Sequence, residues 1–123
     1  MRATRALILL KNLRHNIRLV RQRVGSNVKI CMPVKADAYG HGSIPVSEAA
    51  IEEGIDIIFL GAFLPLSLPK FITQKCRTKL VPIVSSARAA GIISKKWHDK
   101  YDYLPDAIVV EGPKAGGHLG FKK

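Results

Sequence analysis

Val28-Lys29-Ile30-Cys31-Met32-Pro33-Val34-Lys35-Ala36-Asp37-Ala38-Tyr39-Gly40-His41-Gly42 is the stretch from which the fold is read. Residues 28–34 are apolar at most positions, which predicts a strand ending at Lys35. Two glycines follow, and Ser43 then stands as a predicted N-cap for a helix over about 44–53, stopped by Gly54. Strand, glycine loop and helix make one βα unit. Pro33 removes a donor within the strand, which predicts a local distortion or an edge.

The same alternation extends in both directions. Upstream, residues 3–10 are predicted as a short strand, and Lys11 to Val24 as an amphipathic helix ended by Gly25-Ser26-Asn27. Downstream, residues 55–60 alternate little, as expected for a strand covered on both faces. A helix over 66–75 follows, with Pro65 and Pro69 in its first turn, then a strand over 80–84. Ser85-Ser86 predicts the cap of a helix running to Trp97, and residues 107–110 form the last strand before a glycine loop. Strand starts near 28, 55, 80 and 107 are about 25 to 27 residues apart, a period that suits repeated βα units. The predicted class is α/β, a parallel (βα)4 half of a TIM barrel over residues 1–123, with an open doubly wound sheet as the alternative. On that half-barrel Lys35, Gly61, Ser85 and the segment Glu111 to His118 would share one rim.

The chain has 123 residues, 47% of them hydrophobic, which allows one domain with a core but not a complete eight-unit barrel. No stretch approaches a membrane span, and Leu7-Ile8-Leu9-Leu10 is too short and too closely followed by Lys11 and Arg14 for a signal peptide. Cys31 and Cys76 lack close metal-ligand neighbours, so both are expected as thiols in a reducing cytoplasm, with no metal. Twenty Lys and Arg against nine Asp and Glu give a net charge of +11. Such a field draws polyanions non-specifically. Lys11, Arg14, Arg18 and Arg21 form a stripe opposite Leu10, Leu13, Ile17, Val20 and Val24, which predicts a solvated basic face and a core face. Without interleaved aromatics, dedicated nucleic-acid binding is not expected.

Lys35 at the mouth of a strand is placed for Schiff-base chemistry, since desolvation or a neighbouring cation activates an amine toward an aldehyde. Tyr39 could reach a phosphate, and Gly40 and Gly42 admit close backbone approach. Residues of about 2–55, through Arg2-Ala3-Thr4-Arg5-Ala6, Asn12-Leu13-Arg14-His15-Asn16, Val34 to Gly42 and Glu53-Gly54-Ile55-Asp56, resemble the N-terminal barrel of the alanine racemase family. The resemblance implies fold-type III pyridoxal-phosphate chemistry, with Lys35 as Schiff-base lysine and one racemisation base, and Tyr39 as a phosphate contact. Met32-Pro33 departs from the family's usual small or branched apolar pair. The family's pyridine-facing arginine, most of its phosphate cup, its second-base tyrosine and its C-terminal β-domain are not found here.

His118 lies in Gly116-Gly117-His118-Leu119-Gly120. Glycines there clear space for a planar ring, and an imidazole can take a proton near neutral pH. Residues of about 57–121, through Gly61-Ala62-Phe63-Leu64-Pro65-Leu66, Pro82-Ile83-Val84-Ser85-Ser86 and Asp106 to Gly120, resemble the FMN-dependent nitronate monooxygenase family. This implies a flavin beside Gly116 and Gly117, with His118 as the base and Ser85 lining the mouth. Phe63 stands where that family commonly has glycine.

Both families are eight-unit barrels, so the two resemblances predict a chimera joined at a βα boundary, with residues 1–56 from one parent and 57–123 from the other. Exposed edges and an uncovered inner face predict self-association as a homodimer. Three functions are expected in order. The first is pyridoxal phosphate binding at Lys35 with little turnover, and the second is flavin binding near His118. The third is a cofactor-free scaffold that binds polyanions.

Overall fold

The computed structural model describes residues 4–61 and 66–116. Its centre is a four-stranded, all-parallel sheet in the order β1 (Cys31–Pro33), β2 (Ile57–Leu60), β3 (Lys79–Val84), β4 (Val109–Val110). Strands that neighbour one another in chain order, each linked by a crossover, give the arrangement of a barrel segment. A doubly wound sheet would reverse direction at a switch point, and none occurs here. The α/β class and the βα period are therefore those read from the sequence.

One face of the sheet carries the core. Partners in a parallel register share a face, so Val34, Ile58, Leu60, Leu80, Pro82 and Val84 point together, and all are buried. Ile17 of α1 (Leu10–Val24), Val46, Ala50 and Ile51 of α3 (Ser43–Glu52), and Ile93 and Trp97 of α4 (Ala87–Tyr101) pack onto them. The other face holds Cys31, Pro33, Ile57, Phe59, Val81, Ile83 and Val109. Only Val81 among these is buried. The expectation that β2 is covered on both sides is thus corrected: Ile58 and Leu60 are covered, while Ile57 and Phe59 are half-open.

Several expected elements shrink or vanish, each for a local reason. Residues 4–9 form no strand and are exposed, because β1 is an edge with no neighbour to pair them. The predicted helix over 66–75 is only a short 3-10 turn, Leu68–Phe71, since Pro69 starts it and no apolar face sustains it. β4 has two residues because the ladder beside it is interrupted. Even-numbered residues of β3 bond toward β4, through Leu80 N–H to the Asp106 carboxylate at 3.0 Å and Glu111 N–H to Val84 O at 2.7 Å. Pro82 stands between them without an N–H. On β1 the even residues bond toward β2, as Val34 N–H does to Phe59 O at 2.9 Å, so the Pro33 nitrogen faces the outer edge and costs no bond. The prediction of an edge at Pro33 agrees with this placing.

Two calls on helix surfaces also change. Ser86 caps α4 as expected, its Oγ accepting from Ala89 N–H at 3.2 Å, and the helix runs past Trp97 to Tyr101. The basic stripe of α1 is not a solvated face. Arg14 pairs with Glu52, Arg18 with Glu53 at 3.5 Å, and Arg21 with Asp56, so three arginines tie α1 to the end of α3 and the start of β2. The helix is turned accordingly: Leu10, Leu13 and Ile17 face inward, while Val20 and Val24 of the predicted core stripe are exposed.

The N-terminal ends of the strands are closed by two matching carboxylate clamps. Asp56 accepts from Ile30 N–H at 2.9 Å and pairs with Lys29 at 3.3 Å. Asp106 accepts from Leu80 N–H at 3.0 Å and pairs with Lys79 at 2.8 Å, with Tyr103 donating to the same carboxylate. The Ile30 hydrogen bond, against some burial and helped by Arg21 and Lys29, lowers the Asp56 pKa to about 2. Burial works upward on Asp106, yet the bonds from Lys79, Tyr103 and Leu80 outweigh it and hold that carboxyl below its ordinary value. Burial first, and then the bond to Asp106, push the Tyr103 hydroxyl upward.

Candidate functional site at the C-terminal edge of the sheet

Lys35 opens α2 (Lys35–Gly40), a single turn wound the unusual way. Ala36, Asp37, Ala38 and Tyr39 all have φ between 50° and 58°, a left-handed turn built from non-glycine residues. Each such residue costs about 1–2 kcal/mol in isolation, so neighbouring contacts must hold the turn. Asp37 supplies them at both levels of the chain. Its backbone carbonyl accepts from Gly42 N–H at 3.0 Å, and its Oδ1 accepts from Ser43 N–H at 2.7 Å. The Ser43 bonds, backbone first and side chain second, hold the Asp37 carboxyl below its ordinary value.

This corrects the reading of Ser43 as N-cap. Gly42, at φ 88°, occupies the cap position without a side-chain cap bond, and Asp37 caps α3 from six residues upstream. Sequence reasoning missed Asp37 because capping signals are sought at three-residue spacing, and here a left-handed turn intervenes. His41 adds a second tie. Its backbone N–H and its ring Nδ1 both meet Ala38 O, at 3.1 and 2.9 Å. A carbonyl can only accept, which assigns the proton to Nδ1 and leaves Nε2 as an acceptor.

Extending the β1–β2–β3 register places Lys35 level with Gly61 and Ile83, on the open face of the sheet. A Cβ on Gly61 would lie 2.9 Å from the Lys35 Cβ and 3.8 Å from the Ile83 Cδ1. Gly61 is therefore the residue that makes room for the base of the lysine side chain. Lys35 itself is exposed, as is Tyr39 at 58%. The lysine thus has a braced root and an approachable amine.

The remaining expected positions divide. Ser85 follows β3 on the open face, two residues beyond Ile83, and Glu111 follows β4 at the same edge. Lys35, Gly61, Ser85 and Glu111 thus all leave the C-terminal ends of parallel strands. Gly116 is exposed, past a turn closed by Ala115 N–H to Gly112 O at 3.1 Å. Gly117 and His118 lie outside the described residues. Among the described residues no three His, Cys, Asp or Glu side chains gather as a metal site, and no helix is long and apolar enough to cross a membrane. Cys31 is an exposed thiol and Cys76 a half-buried one.

Comparison with known proteins bears on the same residues. An alanine racemase of Treponema denticola is 55% identical over 58 residues, covering 47% of this chain and 15% of the racemase. One from Halothermothrix orenii aligns at 53% identity over 144 positions, covering 96% of this chain and 38% of its own length. One from Methylacidiphilum infernorum is 41% identical over 114 residues, 87% of this chain and 29% of the racemase. The chain therefore spans well under half the length of these relatives. Over residues 8–63, the stretch that carries Lys35, its left-handed turn and Gly61, the chain matches the family model of the alanine racemase N-terminal domain.

Proposed function

We propose that this chain carries the lysine-bearing βα units of an alanine-racemase-type barrel, and that Lys35 is the covalent anchor for pyridoxal phosphate. The observation that supports the reading most is the seating of Lys35: on the open face, at the C-terminal edge, with its Cβ over Gly61. The residues fit such a group at its aldehyde end. An exposed amine on a braced stem can be reached by a carbonyl, and the missing Gly61 side chain keeps the approach open. Tyr39, exposed at the turn, offers a hydroxyl to an anionic substituent, whereas Asp37 is engaged with Ser43. When bound, the cofactor supplies an electron-withdrawing ring that acidifies the α-carbon of an amino acid. The part left to this chain is to hold the ring by Lys35 and to move a proton at that carbon through Lys35 Nζ. Attachment with little turnover is the expected activity, because the described sheet brings one lysine and one tyrosine to the rim.

The test is to mix the protein with pyridoxal phosphate, reduce with borohydride and map the modified peptide. Modification concentrated on Lys35, and a visible band lost in Lys35→Ala, supports the reading. Modification spread evenly over the lysines, with an unchanged band in Lys35→Ala, overturns it.

A second reading is favoured by the position of β4. Its loop leaves the same edge as Lys35, so a flavin beside Gly116, Gly117 and His118, lined by Ser85, would sit at the same mouth. Alignments such as that to the Treponema denticola racemase cover only half of the chain, consistent with a junction near its middle. Those to the Halothermothrix orenii and Methylacidiphilum infernorum racemases run through most of it and favour a single parent. Quenching of FMN fluorescence that His118→Ala abolishes would support the flavin; absence of quenching would remove it.

A further inference from the structure

The two carboxylate clamps repeat each other in detail. Lys29 and Ile30 meet Asp56, and Lys79 and Leu80 meet Asp106, each strand residue lying 26 positions before its aspartate. In both, the aspartate returns a backbone bond to the same strand residue, at 3.2 Å to Ile30 O and at 3.2 Å to Leu80 O. The second clamp stands fifty positions after the first. The β1–β2 pair and the β3–β4 pair are therefore equivalent two-strand units.

Their stagger is measurable from the register. Ile30 is level with Asp56 and, through β2, with Thr78 on β3. Its equivalent on β3 is Leu80, two residues further along. Asp56 maps in the same way to residue 104 on β4, and its equivalent is Asp106. Each two-strand unit thus advances two residues along the sheet. Eight such strands would accumulate a stagger of about eight, the value at which an eight-stranded parallel barrel closes.

The junction between the units is already present inside the molecule, where β2 pairs with β3. Applying the same junction after β4 brings in a strand equivalent to β3, which is β1. We propose that a second copy of this chain closes the sheet, with β4 of each copy pairing with β1 of the other to form an eight-stranded barrel. Two such junctions remove both free edges and cover the open face that holds Phe59, Ile83 and Val109. Pro33 at the β1 edge takes one donor from each junction, as Pro82 does between β3 and β4 within the chain. This inference does not depend on any cofactor.

The repeat fixes the register of the new contact. Phe59 pairs with Val81, and fifty-residue equivalence converts that pair into Val109 of one copy opposite Cys31 of the other. Within one chain these residues are three strand spacings apart, about 14 Å. A disulfide spans Cα atoms only to about 7 Å, so it can form between copies and not within one. The experiment is diamide oxidation of Val109→Cys in a Cys76→Ser background, the two thiols losing two hydrogens to diamide. Light scattering is run alongside on the unaltered protein. A mass of twice 13.5 kDa, with a covalent dimer that Cys31→Ser abolishes and Val110→Cys forms several-fold less, supports the proposal. A 13.5 kDa particle at all concentrations, open-ended polymers, or bridging that ignores Cys31 would overturn it.

Discussion

Placing a methyl group on Gly61 tests the seating of Lys35 more directly than removing the lysine does. The new Cβ would lie 2.9 Å from the Lys35 Cβ, closer than carbon atoms approach without displacement, and the atom it meets is the rigid root of the side chain. Overpacking of this kind costs about 1–3 kcal/mol. The lower backbone freedom of alanine in the unfolded chain returns about 0.4–1 kcal/mol, because no positive φ opposes it here. The expected net loss for Gly61→Ala is therefore about 1–2 kcal/mol. With a urea slope of about 1–3 kcal/mol per molar, the unfolding midpoint should fall by about 0.5–1 M. Gly91→Ala is the matched control. It lies within α4 with nothing within 4 Å of its added Cβ, so it should gain about 0.5–1 kcal/mol. Circular dichroism in urea measures both, and borohydride trapping with pyridoxal phosphate reports on Lys35 in parallel. Should Gly61→Ala match Gly91→Ala in midpoint and trap cofactor undiminished, Lys35 does not sit over Gly61 and the site has been built wrongly.

Other outcomes follow from the clamps and the core. The Asp56 pKa of about 2 lies below its ordinary 3.8, so the clamp stabilises above pH 4 and that part is lost as pH falls toward 2. Acid titration of the melting temperature should show this loss, on the order of 1–2 kcal/mol, and Asp56→Asn should flatten it. Asp37→Ala should lower the melting temperature and reduce trapping at Lys35, while Asp37→Asn, which keeps an acceptor for Ser43 N–H, should retain most of both. Trp97 is fully buried, and Trp97→Ala should cost about 3–5 kcal/mol in chemical denaturation, enough to unfold a marginal domain.

Much of the architecture was legible because burial has a period. The apolar run before Lys35, the glycine after Leu60 and the Ser86 cap each placed an element within a few residues. What the sequence did not reveal was set by contacts distant along the chain. Nothing in Lys11 to Val24 announces that Arg14, Arg18 and Arg21 meet Glu52, Glu53 and Asp56, so a basic stripe read alone suggests solvent. β4 looked like a four-residue strand until the missing donor of Pro82, on the neighbouring strand, was taken into account. At the site, the motif identified the lysine, but the mechanism that braces it was hidden. Ala36 and Ala38 are strong formers of right-handed helix, and their propensity gives no hint of the opposite hand.

That opposite hand changes what substitution experiments mean over residues 36–39. In ordinary helices alanine is the neutral reference and glycine the damaging choice. Here Ala36 already bears a methyl group in a mirror-image conformation, so Ala36→Gly should relieve strain, and a D-alanine introduced there by chemical synthesis should relieve more. An alanine scan across this turn would measure the penalty of chirality rather than the loss of side-chain contacts.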